Sequence, residues 1–217
     1  MATNPFHHED IYRNVSVRES FSDSKVVICG VGALGSNLVD NLTRLGFSNL
    51  RVIDFDRVEA HNISTQIYGK QDIGALKVDA LKNRIYRTVD VELETFSKKL
   101  ESTTTKKAFK DADLLVDCLD NTLSRQLIKD YALTNKKECL HLGLFEDYAE
   151  VIWNDKYEVP SRMGDDVCDY PLARNVIILC IAVASEVLVS YLLNDRSPLY
   201  KRNYSITLRD FSIKELR

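Results

Sequence analysis

The chain has 217 residues, 45% hydrophobic and 28% charged, which fits one globular domain with a substantial core. Its 29 basic and 32 acidic residues leave a net charge of −3, which argues against general nucleic-acid binding, normally marked by a basic excess. The five cysteines (Cys29, Cys118, Cys139, Cys168 and Cys180) are odd in number and form no C-x-x-C, so neither a disulfide framework nor a zinc site is expected, and a reducing cytoplasm fits best.

Residues 1–24 read as a polar arm with a short helix; "MATNPFHHEDIYRN" has no apolar core, so no secretory signal is expected. "KVVICG" (25–30) is a continuous apolar strand of the kind buried on both faces of a parallel sheet. "ALGSNLVDNLTRLG" (33–46) has helical apolar spacing and a glycine stop, and "NLRVID" (49–54) is the next strand. A helix over 75–89, a strand over 91–96, a solvated basic helix over 98–112, a buried strand over 113–119 and a helix over 122–135 follow. "ECLHLGLF" and "YAEVIW" read as a strand pair around Glu146-Asp147, and the C-terminal residues alternate like two edge strands. The longest apolar run, 176–193, is interrupted by Ser185, Glu186 and Ser190; opened by Pro171, it reads as a buried core helix and not a membrane span. The whole predicts an α/β fold: a Rossmann-like, doubly wound mixed sheet with an antiparallel C-terminal extension, in one domain, with a crossover segment over 154–171.

Gly30, Gly32 and Gly35 form G-x-G-x-x-G between a strand and a helix, a turn that lets phosphate approach backbone amides at a helix N-terminus. The motif alone serves NAD or ATP. Two acids, Asp54 and Asp56, follow the next strand, where a dinucleotide needs only one. A further acid, Asp120, ends the strand at 113–119, and Lys77 lies between them in sequence. Together they suggest Mg²⁺-bound ATP, since Mg²⁺ takes hard carboxylate oxygens. On spacing alone, Asp56 and Asp120 could equally be turn or helix caps.

The segments "GVGALGSNL", "VIDFDRVEAHNISTQ", "IGALKVDAL" and "LLVDCLDN" resemble the ThiF/MoeB-type adenylation domain of the ubiquitin-activating enzyme superfamily across nearly the whole chain. The resemblance implies a single adenylation domain over 1–217 that uses ATP and Mg²⁺. It assigns Asp54 to the ribose, Asp56 and Asp120 to the metal, and Asn62 and Lys77 to phosphates. It places Arg13, after Tyr12, on the ATP of a partner subunit in a homodimer. A ubiquitin-like protein, with a conjugating enzyme downstream, is the implied partner.

Two departures stand out. Thr65 occupies the place of a family arginine in "NISTQ", with Lys70 nearby, and the paired C-x-x-C motifs are absent. Cys168, in the polar "GDDVCDYP" ahead of the long helix, is the candidate thioester nucleophile; flanking aspartates oppose activation of its thiol. His7, His8, His61 and His141 show no ligand spacing and read as structural or solvated. Competing functions are adenylation of a small carboxylate or a tRNA base, and an inactive platform for a ubiquitin-like protein, which Thr65 favours. A plain NAD oxidoreductase leaves Asp56, Asn62, Lys77 and Asp120 without a task.

Overall fold

A computed structural model describes residues 4–160, 171–193 and 199–216. One eight-stranded sheet runs β3-β2-β1-β4-β5-β6-β7-β8, with β1 Val26–Cys29, β2 Leu50–Ile53, β3 Glu94–Phe96, β4 Leu114–Asp117, β5 Glu138–Phe145, β6 Tyr148–Trp153, β7 Asn203–Thr207 and β8 Ser212–Leu216. Strands β3 to β5 in that order are parallel, and β6, β7 and β8 join antiparallel. The expected doubly wound sheet with its antiparallel extension is therefore present.

Side-chain alternation divides the strands between two layers. Val26, Ile28, Val52, Leu114 and Val116 face α3 (Ala33–Leu45), α4 (Lys77–Val89) and α7 (Arg174–Leu192). Val27, Cys29, Ile53, Leu115 and Cys139 face the other way, toward Phe109, Ile128 and Ala132 beside α5 (Thr105–Ala108) and α6 (Thr122–Thr134). Burial on both faces is why β1 and β4 read as apolar runs. The arm forms two short helices, α1 (His7–Arg13) and α2 (Val15–Ser20). Gly46 ends α3 in the left-handed region at φ 108°, where a side chain would strain the backbone.

Helix α7 is long and apolar enough to cross a membrane by length and composition, but it packs on α3 and the sheet. Val176, Ile177, Cys180, Ile181, Ala184 and Leu188 are among its buried residues.

Three expectations need correction. The basic stretch 98–112 forms only the single turn of α5, with Leu100, Ala108, Phe109 and Ala112 buried. Arg51 ends that turn: its Nη1 donates to the Ala108 and Lys110 carbonyls at 3.0 and 2.7 Å. The strand predicted over 91–96 pairs only from Glu94. Pro171 does not open α7: Leu172 bridges to Glu146, the Ala173 amide donates to the Glu146 carbonyl at 3.1 Å, and the helix begins at Arg174.

Leu188 is fully buried and Leu133 is 56% exposed. Leu188→Ala is expected to cost about 2–5 kcal/mol and Leu133→Ala less than about 0.5, measured as shifts in urea unfolding midpoint.

Candidate active site

The sheet changes winding direction at β1, whose neighbours β2 and β4 lead to connections on opposite sides. Open α/β sheets bind ligands at such a point, beyond the carboxyl ends of the strands. The glycine loop occupies it. Gly30 has φ 85°, and a side chain there would meet Leu119 and the Cys118 carbonyl at 2.8 and 3.0 Å. A side chain on Gly35 would stand 1.9 Å from the Gly30 carbonyl oxygen, so only glycine lets α3 start this close to β1. Gly32 caps α3 and meets little besides the Gln66 amide, leaving the helix N-terminus open for phosphate.

Asp54 is 8% exposed and clips the loop to β2. Its Oδ2 accepts from the Val31 amide at 2.9 Å, and its Oδ1 accepts from the Asp56 amide at 2.8 Å. A carboxylate has about four acceptor positions, so ribose hydroxyls can still bind. Burial pushes its carboxyl above the usual range, and Lys77 partly offsets that.

Lys77, the first residue of α4, is 8% exposed; its Nζ donates to Asp56 Oδ2 at 3.1 Å and its amide to the Asp56 carbonyl at 2.9 Å. The structure therefore brings Asp54, Asp56 and Lys77 together. Asp120 lies on the other flank of β1. Cys29 pairs with Ile53 on one side and Asp117 on the other, so Asp56 and Asp120 each lie three residues past the same register line. Two strand spacings, about 10 Å, separate β2 from β4.

Asp120 caps no helix: the N-cap of α6 is Asn121, whose Oδ1 accepts from the Ser124 amide at 2.9 Å. Asp120 is exposed, as is half of the Asp56 side chain. Among the described residues no three His, Cys, Asp or Glu side chains converge as a metal cage. Exposed carboxylates suit Mg²⁺, which keeps waters and phosphate oxygens and takes only one or two from protein.

Asn62 is buried in the 3₁₀ turn Ala60–Ser64, where its Oδ1 accepts from the Glu59 amide at 2.9 Å. Its carbonyl end thus caps its own segment. Arg13 Nε donates to Glu9 at 2.9 Å and its Nη2 donates to Glu186 on α7, so its guanidinium is engaged within its own chain. Cys168 lies outside the described residues. The other four cysteines are free, and burial pushes the Cys180 thiol up to about 12.

Sequence reasoning missed a buried ionic cluster at the base of the Asp120 loop. Asp117 is fully buried, with Arg125 Nη1 at 3.5 Å and His141 Nδ1 at 2.8 Å from its Oδ2. His141 Nε2 faces Asn154 at 2.8 Å, and its ring stacks on Tyr157 at 3.8 Å. Arg125 also donates to the Tyr157 hydroxyl at 2.9 Å and the Leu142 carbonyl at 2.7 Å. Asp117 Oδ1 accepts from the Leu119 amide at 3.0 Å and so shapes the turn leading to Asp120. These partners come from β4, β5, α6 and the start of the crossover. The one available sequence signal was a charged residue ending an apolar strand.

A doubly wound sheet with a glycine loop, a clipped acid and a helix-borne lysine at its winding switch defines a nucleotide-binding domain of the adenylation type. The ThiF family profile matches residues 8–168, and the chain belongs to that family. It is 30% identical over 118 residues to the adenylyltransferase and sulfurtransferase MOCS3 of Caenorhabditis briggsae, covering 54% of this chain and 29% of that protein. It is 27% identical over 171 residues to ubiquitin-like modifier-activating enzyme 5 of Arabidopsis thaliana, covering 71% and 39%. The matches thus span well under half of those relatives. E. coli MccB, solved with ATP, shares the fold with a TM-score of 0.81 at 18% identity, over 99% of this chain and 71% of that one.

Burial raises the Asp117 carboxyl, but Arg125 and then His141 outweigh it and hold it below 3.8. A depressed carboxyl contributes stability above its unfolded pKa and loses it as pH falls through the folded value. Asp117→Asn should destabilise by about 3–5 kcal/mol at neutral pH, with Arg125 left unpaired. The gap from wild type should narrow below pH 3.8, as read by urea midpoints at a series of pH values.

Proposed function

We propose that this protein is an ATP-dependent adenylyltransferase that activates the C-terminal carboxylate of a ubiquitin-like or sulfur-carrier protein. The observation that carries the reading is the constellation of glycine loop, Asp54, Asp56 and Lys77 in a ThiF-family chain. The relatives' names support the substrate class.

In this scheme a carboxylate oxygen of the substrate attacks the α-phosphorus of ATP. The bond from that phosphorus to the bridging oxygen breaks, and pyrophosphate leaves with the electron pair. The glycine-loop amides and α3 hold phosphate, Asp54 orients the ribose, and Lys77 neutralises charge. Asp56 and Asp120 would hold Mg²⁺, which supplies charge neutralisation on the phosphates. Positioning and electrostatics then account for the rate, with no covalent step at this stage.

We assign the next step to Cys168. Its thiolate attacks the acyl carbonyl, forms a thioester and expels AMP, with the thiol proton passing to solvent. A conjugating enzyme would accept the acyl group. A second copy of the chain would receive Arg13 on exchanging its Glu9 and Glu186 partners; the exposure of Ile11 (70%) and Tyr12 (76%) beside it supports a copy-facing surface. The setting is a cytoplasmic one.

A second reading, an inactive platform for a ubiquitin-like protein, is favoured by the uncharged Thr65. Pyrophosphate exchange separates the two. With ATP and a ubiquitin-like substrate, wild type is expected to exchange label and Asp120→Ala to lose at least about a hundredfold of that rate. Wild-type protein that binds both partners without exchange identifies the platform.

Cys168→Ala is expected to keep exchange and lose a reducible adduct, seen by intact mass under non-reducing conditions. An adduct that survives the substitution assigns the thioester elsewhere.

A further inference from the structure

The segment His61–Gln66 carries no permanent cation, yet it walls one side of the glycine loop, with Gln66 Nε2 3.9 Å from where a Gly32 side chain would begin. The Thr65 carbonyl accepts from Asn37 Nδ2 at 2.9 Å, and the Ile67 amide donates to Ser36 Oγ at 3.3 Å. The Tyr68 hydroxyl donates to the Val31 carbonyl at 2.8 Å. Against the same segment stands Arg174, whose Nη1 donates to the Ser64 carbonyl at 3.4 Å. Its side chain is exposed.

Helix α7 sets that position. It starts at the edge where Leu172 bridges to Glu146, and near its other end Tyr191 packs on Trp153, the last residue of β6. It therefore descends alongside α3, which starts at the glycine loop. Asn41 Nδ2 donates to Ser185 Oγ at 2.8 Å and fixes the register between the two helices. Ser185 is 11 residues below Arg174, and Asn41 is eight below Ala33. At a rise of about 1.5 Å per residue, Arg174 stands about 4–5 Å above the first residue of α3, level with the glycine loop.

The charge balance at that level is unfavourable for a triphosphate without help. Asp54, Asp56 and Asp120 surround the loop, and Lys77 is shared with Asp56. Within one copy, Arg13 is tied to Glu9 and Glu186, and Arg57 Nη1 donates to the Gly74 carbonyl at 2.7 Å. Among the described residues, Arg174 is held only by a long bond to a neutral carbonyl. A guanidinium fork is well matched to paired phosphate oxygens and is always charged.

We propose that Arg174 is a second triphosphate-binding cation, acting across the glycine loop from Lys77 and supplying from α7 the charge that position 65 lacks. The inference rests on the adenylation reading and deepens it.

Calorimetry of the full chain with Mg-ATP and with AMP tests it without requiring turnover. Arg174→Ala should weaken Mg-ATP binding about ten- to a hundredfold, the value of one charge-assisted contact, and leave AMP binding unchanged. Thr65→Arg placed in the Arg174→Ala background should restore much of the loss, because it returns a guanidinium to the same wall. Equal ATP affinity in Arg174→Ala and wild type overturns the inference, as does an equal loss of AMP and ATP, which marks a structural role. A loss in Lys70→Ala with none in Arg174→Ala overturns it in favour of that lysine. Wild-type protein that binds AMP and ATP to no measurable extent rejects the nucleotide reading itself, and the inference falls with it.

Discussion

The site depends on one carboxylate. Asp54 receives the Val31 amide from the glycine loop and the Asp56 amide from the following turn, so a single side chain joins β1 and β2 beyond the last ladder bond. Without it, the buried Val31 amide and the partly buried Asp56 amide would lose their acceptor at the turn that shapes the glycine loop. Its burial makes ionisation costly, and Lys77 on α4 returns part of that cost. The same lysine holds Asp56, so loop, acid pair and helix form one electrostatic unit.

A comparable arrangement closes the other flank of β1. Asp117 accepts the amide two residues on, as Asp54 does, and so makes the same tight turn at the end of β4. The difference lies in the surroundings. Asp54 is left near the mouth, whereas Asp117 is sealed by Arg125, His141 and Tyr157. Removing one member of such a cluster leaves an unpaired buried charge, which explains why its worth appears mainly when it is broken. Its function is to give the turn carrying Asp120 a rigid base.

Much of this was legible in the sequence, and the reason is local. β1 and β4 are buried on both faces and appear as apolar runs, and β2 is buried despite Arg51, with the ends of all three readable to within a residue or two. Gly30, Gly32, Gly35, Asp54 and Asp56 follow those ends within a few residues. What was not legible depends on partners distant in sequence. Asp117 and His141 are 24 residues apart, and Arg13 and Glu186 are 173 apart. The reduction of 98–112 to one turn likewise depends on Arg51, which takes its carbonyls from a separate strand. Local pattern contains no term for such contacts. Arg174 escaped notice for the same reason: its nearness to Ser64 is set by the packing of α7 on α3.

The equal offset of Asp56 and Asp120 from the β2–β1–β4 register line makes the two connecting loops a matched pair of spacers. Their length, more than their composition, sets how far each carboxylate stands above the sheet. An insertion in one loop alone would move one acid up its flank by a residue's rise while the other stayed fixed. The glycine loop between them would keep its shape, because its own clips lie lower. A change of length in one loop alone therefore alters the distance between the two carboxylates, whereas equal changes in both keep them level.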